Sequence, residues 1–207
     1  NPGIIYARQL PYHKQKDLKP VPHFVIGKED HQLIVGMIRK GLNPELKLHL
    51  KVDFKDVSEN HVNIFGEIPG VDEKLKDQIV LIGGHYDSYH SGTGAADNGQ
   101  GCAILMEVMR ILKKIDIKPR RTIRIALWGG EEQGLNGSMH YIKNYVGDVV
   151  TGAKGEEHSK ISAYFNHDNN GHNIRGIFMQ GNPELRPIFE DYLSPFHSVG
   201  AKTVSVE

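Results

Sequence analysis

The feature that most constrains the fold of this chain is a continuous apolar run, Ile79-Val80-Leu81-Ile82, which leads directly into two glycines. A run without polar alternation is typical of a central strand that is covered on both faces. Two further strands are predicted over Thr122–Trp128 and Ile161–Asn166, and a helix without Gly or Pro is predicted over Ala103–Ile115. This alternation favours an α/β fold with a mixed, largely parallel central sheet flanked by helices.

The segments before and after this unit have weaker patterns. Apolar and polar residues alternate over Leu46–Phe54, which predicts a half-buried strand, with a hairpin partner over Val62–Ile68. The Ala103–Ile115 helix is expected to be largely buried, because most of its positions are apolar. Gly41 is placed at the C-terminal end of the first of three further helices. These helices are predicted over Glu29–Lys40, Met139–Tyr145 and Glu184–Leu193.

Polar segments flanked by glycine follow the three apolar strands, and each segment carries at least one carboxylate. Because ligands in open α/β sheets bind beyond the carboxyl ends of the strands, we expect these side chains to meet at one edge. Glycine lets the backbone segments approach a shared centre closely. The side chains concerned are His85, Asp87, Asp97, Glu131, Glu132 and Asp168.

The chemistry of this set indicates a metal site. One imidazole with several carboxylates suits zinc or another borderline divalent ion. Several carboxylates at one place repel one another unless cations neutralise them, and two ions balance the charge better than one. Paired metals about 3.5–4 Å apart hydrolyse amides by polarising the carbonyl and activating water. Taken singly, each acidic residue is explained as well by a turn, a helix cap or a solvated surface.

Other classes of function find less support. The chain has 25 basic and 25 acidic side chains, which argues against nucleic acid or an anionic membrane as its main partner. No apolar run approaches the roughly 18 residues that cross a bilayer. A single cysteine, Cys102, excludes an internal disulfide and is better explained as a small core residue than as a nucleophile. The dinucleotide fingerprint that begins at Gly92 fails, because Asp97 occupies the position of its third glycine.

Four motifs together resemble the two-zinc exopeptidase family, which includes zinc aminopeptidases, glutamate carboxypeptidase II and carboxypeptidase Q. They are His85-Tyr86-Asp87-Ser88, Ala96-Asp97-Asn98-Gly99, the run from Leu127 to Gly134 with the sequence LWGGEEQG, and the Asp168 segment. The resemblance implies a zinc exopeptidase fold, with residues 59–207 as most of its catalytic domain. It also implies that residues 1–58 are the C-terminal part of an inserted protease-associated domain with a connecting strand, as in the carboxypeptidase Q-like members.

The resemblance assigns roles to individual residues. It implies two zinc ions as cofactors, held by His85, Asp97, Glu132 and Asp168, with catalytic roles for Glu131 and Asp87. Asp97 would bridge both ions, in a cis peptide bond with Asn98. Glu131 would take a proton from the attacking water and pass it to the leaving amine. Asp87 would orient His85.

The resemblance has one departure, because the family's second zinc has a terminal His that this sequence does not reach. That ligand is expected beyond Glu207, so the chain is predicted to be a fragment that is weakly active or inactive alone. The partner implied is a small peptide substrate, a homodimer stays open, and a secreted or periplasmic location is favoured. Aminopeptidase, carboxypeptidase and dipeptidase activities stay open. So do a receptor-like binding module of the same fold and an amidohydrolase or acyltransferase relative.

Overall fold

The structure is a computed structural model that describes residues 6–7, 24–49, 51, 62–89, 92–168 and 173–206. Its helices and strands, in chain order, are β1 (Tyr6–Ala7), β2 (Phe24–Val25), α1 (Lys28–Arg39), β3 (Ile64–Ile68), β4 (Ile79–His85), α2 (Gln100–Lys114), β5 (Thr122–Trp128), α3 (Asn136–Tyr141), β6 (Ile161–Asn166), β7 (Gly176–Phe178), α4 (Arg186–Leu193) and β8 (Thr203–Ser205).

The main sheet has four strands in the order β3-β5-β4-β6. The apolar run that leads into the glycines forms β4, which lies in the middle and runs parallel to both β5 and β6. Edge strand β3 runs antiparallel to β5. The predicted mixed, largely parallel α/β fold is therefore confirmed, and the carboxyl ends of β4, β5 and β6 lie at the same edge of the sheet.

Apolar side chains pack on both faces of this sheet. One face carries the cluster Cys102, Leu105, Ile125 and Leu127, in which α2 covers the strands. The other face carries the cluster Ile79, Leu81, Ala126, Trp128 and Tyr141, in which the end of α3 covers the strands. The two clusters fix the positions of β4 and β5, and thereby the loops that follow them.

Helix α2 is less buried than its composition predicts. Only Gly101, Cys102 and Leu105 are buried in it, whereas Met106 is 57% exposed. The prediction of a largely buried helix is wrong, because in the described part of the chain α2 packs on the sheet along one narrow face.

The segments before β3 differ most from the sequence prediction. Helix α1 forms close to its predicted position and Gly41 follows it with a φ of +77°, but none of its residues is buried. Residues 42–49 have no regular structure, so the predicted strand is absent over Leu46–His49. Of its later part only Lys51 is described, and it is not in a strand. Strand β3 forms within Val62–Ile68 but pairs with β5, because the open edge of β5 offers it a full ladder.

The remaining helices form close to their predicted positions but not always in the predicted type, whereas strands β7 and β8 were not predicted. Helix α3 passes into a π-helical turn over Ile142–Val146, and α4 carries Pro187 in its first turn. Strands β7 and β8 form a separate parallel pair. Among the helices that the structure describes, none combines the length and the apolar character needed to span a membrane.

Candidate metal centre

The candidate metal centre lies where the parallel strands end. His85 is the last residue of β4, and Asp168 follows β6 by two residues. Glu131 and Glu132 follow β5 after two glycines, and Asp97 precedes α2. Because these strands are neighbours in parallel pairing, residues far apart in the sequence come to one edge of the sheet.

His85 is the centre of this group. Its side chain is buried, with the residue only 3% exposed. Its Nε2 atom lies 3.0 Å from Oδ1 of Asp97 and 3.2 Å from Oδ1 of Asp168. The same nitrogen lies 4.0 Å from Oε2 of Glu131. Three of the sequence-predicted residues therefore form one tight group, with Glu131 beside it.

The spacing of these atoms fits a bound zinc ion. Tetrahedral zinc with N and O ligands at about 2.0–2.2 Å keeps its ligand atoms about 3.3–3.6 Å apart. One ligand atom each from His85, Asp97 and Asp168 lies within 4.8 Å of the others, and the two measured distances are close to the tetrahedral value. One imidazole and two carboxylates are also a ligand set that zinc accepts.

Glu132, the fourth ligand implied by the resemblance, lies next to this group without being part of it. The Asp97 carboxylate is near enough to act on its charge, because burial first and then Asp97 raise the pKa of Glu132. A backbone N–H of Tyr89 donates a hydrogen bond to the Glu132 carboxylate. Glu132 therefore lies beside the tight group, where burial and neighbouring carboxylates act on it.

Asp87 connects His85 with the Glu131–Glu132 segment. Its backbone carbonyl lies 3.0 Å from Nδ1 of His85, and since a carbonyl only accepts, Nδ1 carries the proton. Nε2, which faces Asp97 and Asp168, is then the nitrogen whose lone pair can bind a metal. The two carboxylate oxygens of Asp87 accept hydrogen bonds from the backbone N–H groups of Glu131 at 3.0 Å and Glu132 at 3.1 Å.

The Asp87 geometry changes the expectation for that residue. We expected its side chain to orient His85, but the nearest carboxylate oxygen is 3.6 Å from Nδ1, farther than the backbone carbonyl. The backbone of Asp87 orients His85, and the side chain orients the two glutamates. The sequence held no signal for the second role, because the partners are 44 and 45 residues away.

The electrostatics of the centre are those of crowded negative charge. Burial raises the pKa of Glu131, and the carboxylates of Asp168 and Glu132 raise it further against the opposing effect of His85. Burial alone lowers the pKa of His85, but Asp168 and Glu131 outweigh it and raise the pKa. In the described part of the chain, the ion pairs of these carboxylates within 4.0 Å involve His85 and no Lys or Arg. A bound cation would relieve this repulsion.

Two supporting features lie behind the centre and were not predicted. Trp128 Nε1 donates to the Tyr164 hydroxyl at 2.8 Å, and that hydroxyl donates to Oδ1 of Asn166 at 2.7 Å. This chain of hydrogen bonds crosses β4 at Gly83, where a Cβ atom would lie 3.0 Å from both Trp128 and Tyr164. It ties the ends of β5 and β6 together. Gly83, which leaves room for these hydrogen bonds, is the one sequence signal that could have indicated them.

The second unpredicted feature is a buried asparagine. Asn98, immediately after Asp97, is 0% exposed. The peptide bond between these two residues is cis, as the resemblance implied. Cys102 is buried as predicted, and its thiol donates a hydrogen bond to the His85 backbone carbonyl at 3.0 Å.

Comparison with known proteins identifies relatives of this chain. A family model described as peptidase family M28 matches residues 63–206, which is more than half of the chain. Over 180 residues the chain is 29% identical to carboxypeptidase Q of Xenopus laevis, an alignment that covers 86% of this chain and 36% of that protein. The chain therefore spans little more than a third of the length of this relative.

Two solved structures are similar to this one. A peptidase M28 precursor from Shewanella amazonensis superposes with a TM-score of 0.66 at 24% identity, over 92% of this chain and 40% of its own. A zinc aminopeptidase from Bacillus subtilis superposes with a TM-score of 0.52 at 27% identity, over 69% of this chain and 33% of its own. The Shewanella protein, at its low identity, supports the fold alone.

Proposed function

The chain belongs to peptidase family M28, and from that premise we propose that it carries the metal-binding part of a zinc-dependent exopeptidase that hydrolyses small peptides. The observation that carries the proposal is the approach of His85 Nε2 to Asp97 at 3.0 Å and to Asp168 at 3.2 Å, with Glu131 beside them. The Xenopus relative is a carboxypeptidase and the Bacillus relative is a zinc aminopeptidase, which supports an exopeptidase.

The proposal includes two zinc ions. His85 and Asp168 would hold the first ion, Glu132 the second, and Asp97 would hold both. The supporting observation is charge, because the described residues place more carboxylates than imidazoles at or beside the centre. One divalent ion would leave an excess of negative charge there.

Zinc, when bound, supplies Lewis acidity that polarises the peptide carbonyl and makes water a nucleophile near neutral pH. Glu131 does the proton transfer. It takes a proton from the attacking water at its carboxylate and delivers the proton to the nitrogen of the leaving amine. Its pKa, raised by burial and by Asp168 and Glu132, favours holding that proton for the lifetime of the step. Asp87 holds Glu131 in place through the backbone N–H.

The first prediction tests the role of Glu131. Glu131→Gln in the complete protein should lower the rate of peptide hydrolysis by roughly 10²–10⁴-fold, because glutamine keeps the shape but cannot carry the proton. The bound zinc, measured by metal analysis, should not change. The matched control is Glu73→Gln, since the Glu73 side chain is 85% exposed and lies outside the centre. Retained turnover in Glu131→Gln would remove Glu131 as the base.

Metal analysis of the unmodified protein also separates the proposal from a non-catalytic binding module of the same fold, which should contain no zinc. A panel of dipeptides, aminoacyl anilides and N-acyl amino acids then distinguishes aminopeptidase, carboxypeptidase, dipeptidase and amidohydrolase activities.

Three parts of the proposal rest on the resemblance more than on the described residues. The catalytic domain would begin at about residue 59, and the family match from residue 63 supports this boundary. Residues 1–58 would belong to a protease-associated domain. A secreted or periplasmic location is favoured by the family resemblance.

A further inference from the structure

Asn98 is the most deeply buried polar side chain of the metal centre, although it carries no charge and offers no function to a peptide. It is 0% exposed and directly follows Asp97 in the chain. The described residues contain no other side chain of comparable size that is fully buried. A polar residue in this position needs a physical reason, because burying an amide is costly unless it is used.

The side-chain amide of Asn98 contacts the backbone next to two of the three residues of the tight group, His85 and Asp168. Its Nδ2 atom donates a hydrogen bond to the carbonyl of His167 at 2.9 Å, and His167 precedes Asp168. The same Nδ2 atom packs on Gly84, which precedes His85. Asn98 itself follows Asp97. One buried side chain therefore touches the chain next to all three residues of the tight group.

Two glycines make the space for this amide. A Cβ atom on Gly84 would lie 3.0 Å from Nδ2 of Asn98 and 2.6 Å from the His167 carbonyl oxygen. A Cβ atom on Gly101, in the first turn of α2, would lie 2.1 Å from Oδ1 of Asn98. Neither glycine is among those with a positive φ, so they are explained by space and not by backbone conformation. The sequence thus keeps both sides of Asn98 open.

The second amide atom argues against a role limited to filling the core. Oδ1 of Asn98 is buried and has no hydrogen-bond partner among the described residues. A residue selected only to fill the core would be apolar here, since it would leave no unpaired acceptor.

We propose that Asn98 is a positioning residue of the metal centre. Its amide holds the end of β4, the segment after β6 and the start of α2 at the separation that brings His85, Asp97 and Asp168 around one ion. This inference rests on the proposed function, since it requires that these three residues bind a metal. It adds that their spacing depends on a residue that is not a ligand.

The test compares zinc affinity with stability in the full chain. Zinc affinity is measured by competition with a chelator, and the melting temperature is measured on the metal-free protein. Asn98→Ala should weaken zinc binding roughly 10–100-fold, the range found when partners that orient metal ligands are removed. The control is Ile79→Ala at the opposite end of β4, which is 4% exposed in the wild type. It should lower the melting temperature without changing zinc affinity.

A second variant disturbs the Asn98 amide through a neighbouring residue. Gly101→Ala should also weaken zinc binding, because its methyl group would collide with Oδ1. In the double variant Asn98→Ala/Gly101→Ala, the second substitution should cost little further affinity, because the collision partner is gone. If Asn98→Ala does not fold, Asn98→Ser carries the same test, since its hydroxyl keeps a polar group at the buried position.

The outcomes are distinguishable. If wild-type protein binds no zinc, the proposed function fails, and the role of Asn98 fails with it. If wild-type protein binds zinc and the Asn98 and Gly101 variants bind it as tightly as Ile79→Ala does, the proposed function stands and the inference is overturned. A loss of zinc affinity in these variants at a melting temperature equal to that of Ile79→Ala supports the inference.

Discussion

Two charged regions lie along and beyond strand β5, and their electrostatics are opposite. In the middle of the strand, Arg124 pairs with Glu67 at 2.6 Å and with Glu157 at 2.9 Å, and it donates to the Tyr141 hydroxyl at 3.0 Å. We refer to these four residues as the Arg124 cluster. Beyond the end of the strand, the metal centre gathers carboxylates around the imidazole of His85. Among the described residues, an Arg supplies the cation in the first region, and no Lys or Arg does so in the second.

The pKa values of two glutamates show the consequence. Burial by itself raises the pKa of Glu157, but hydrogen bonds from Tyr141 and Arg124 outweigh burial and lower it. Burial also raises the pKa of Glu131, and there the neighbouring carboxylates add to the effect. In the cluster, burial and the Glu157 carboxylate raise the pKa of Tyr141 to about 12. Burial raises the pKa of both glutamates. In the Arg124 cluster hydrogen bonds from Arg124 and Tyr141 offset this effect, and at the metal centre the neighbouring carboxylates add to it. This difference is the physical argument for an external cation at the metal centre.

The largest expected effect comes from removing the chain's own cation. Arg124→Met should lower the free energy of unfolding at neutral pH by about 3–5 kcal/mol, because it leaves the Glu157 carboxylate buried without its partner. The two side chains are only 16% and 14% exposed, so solvent screens them little. Denaturant unfolding of the metal-free protein measures the change, and zinc affinity should stay as in the wild type.

The control for Arg124→Met is Arg110→Met. Arg110 pairs with Glu107 on the surface of α2, with side chains 64% and 51% exposed. An exposed pair contributes about 0–1 kcal/mol, so this variant should lose much less stability. Equal losses in the two variants would show that the Arg124 cluster is not a compensated buried network.

The next effect in size is the response to zinc. Zinc at a hundredfold excess over its dissociation constant should raise the free energy of unfolding by about 2.7 kcal/mol. Arg124→Met should keep this increment, since its partners lie away from the metal centre. Asp97→Ala should lose it, because Asp97 lies 3.0 Å from His85 Nε2. Equilibrium unfolding with and without zinc provides the measurement.

The stability of metal-free Asp97→Ala also tests the contrast between the Arg124 cluster and the metal centre. Removing Asp97 takes one carboxylate from a crowded group, so in the absence of zinc the stability should be unchanged or slightly higher. A large loss of stability in metal-free Asp97→Ala would mean that the carboxylates are compensated by the chain after all, and the contrast between the two regions would disappear.

The sequence predicts the strands of this fold better than it predicts their neighbours. Strands β5 and β6 match their predicted bounds, and β4 contains its predicted core, because an apolar run between glycines and polar residues is a local signal. The sequence predicts too much burial for α2, because an apolar residue can be buried but the sequence does not say whether another element packs against it. Met106 is apolar and 57% exposed for this reason.

The site shows the same division. His85 and Asp168 could be predicted to meet, because each lies at or just after the end of a strand, and Asp97 joins them from the loop that follows β4. The roles of Asp87 and Asn98 could not be predicted, because they depend on backbone groups brought together by folding. The Asn98 amide reaches the His167 carbonyl 69 residues away, and Arg124 reaches Glu67 across 57 residues. No local pattern records such partners.

The smallest expected effect is the pH dependence of the Arg124 cluster. Hydrogen bonds from Tyr141 and Arg124 hold the pKa of Glu157 below its ordinary value of 4.5. Since the folded-state pKa is the lower one, the stabilising contribution is complete above that ordinary value and is lost as the pH falls through the folded-state pKa. The difference in unfolding free energy between wild type and Glu157→Gln should thus be constant near neutral pH. It should shrink in acid by up to about 1.4 kcal/mol per pH unit.

Glu73→Gln is the surface control for this titration, because an 85% exposed carboxylate gains little from its partner in the folded state. Its difference from wild type should change much less over the same pH range. A Glu157→Gln difference that stays constant into acid would mean that Arg124 does not hold Glu157 ionised in the folded state. In that case the two regions of β5 would not differ in compensation, and crowding of carboxylates would no longer distinguish the metal centre from an ordinary buried network.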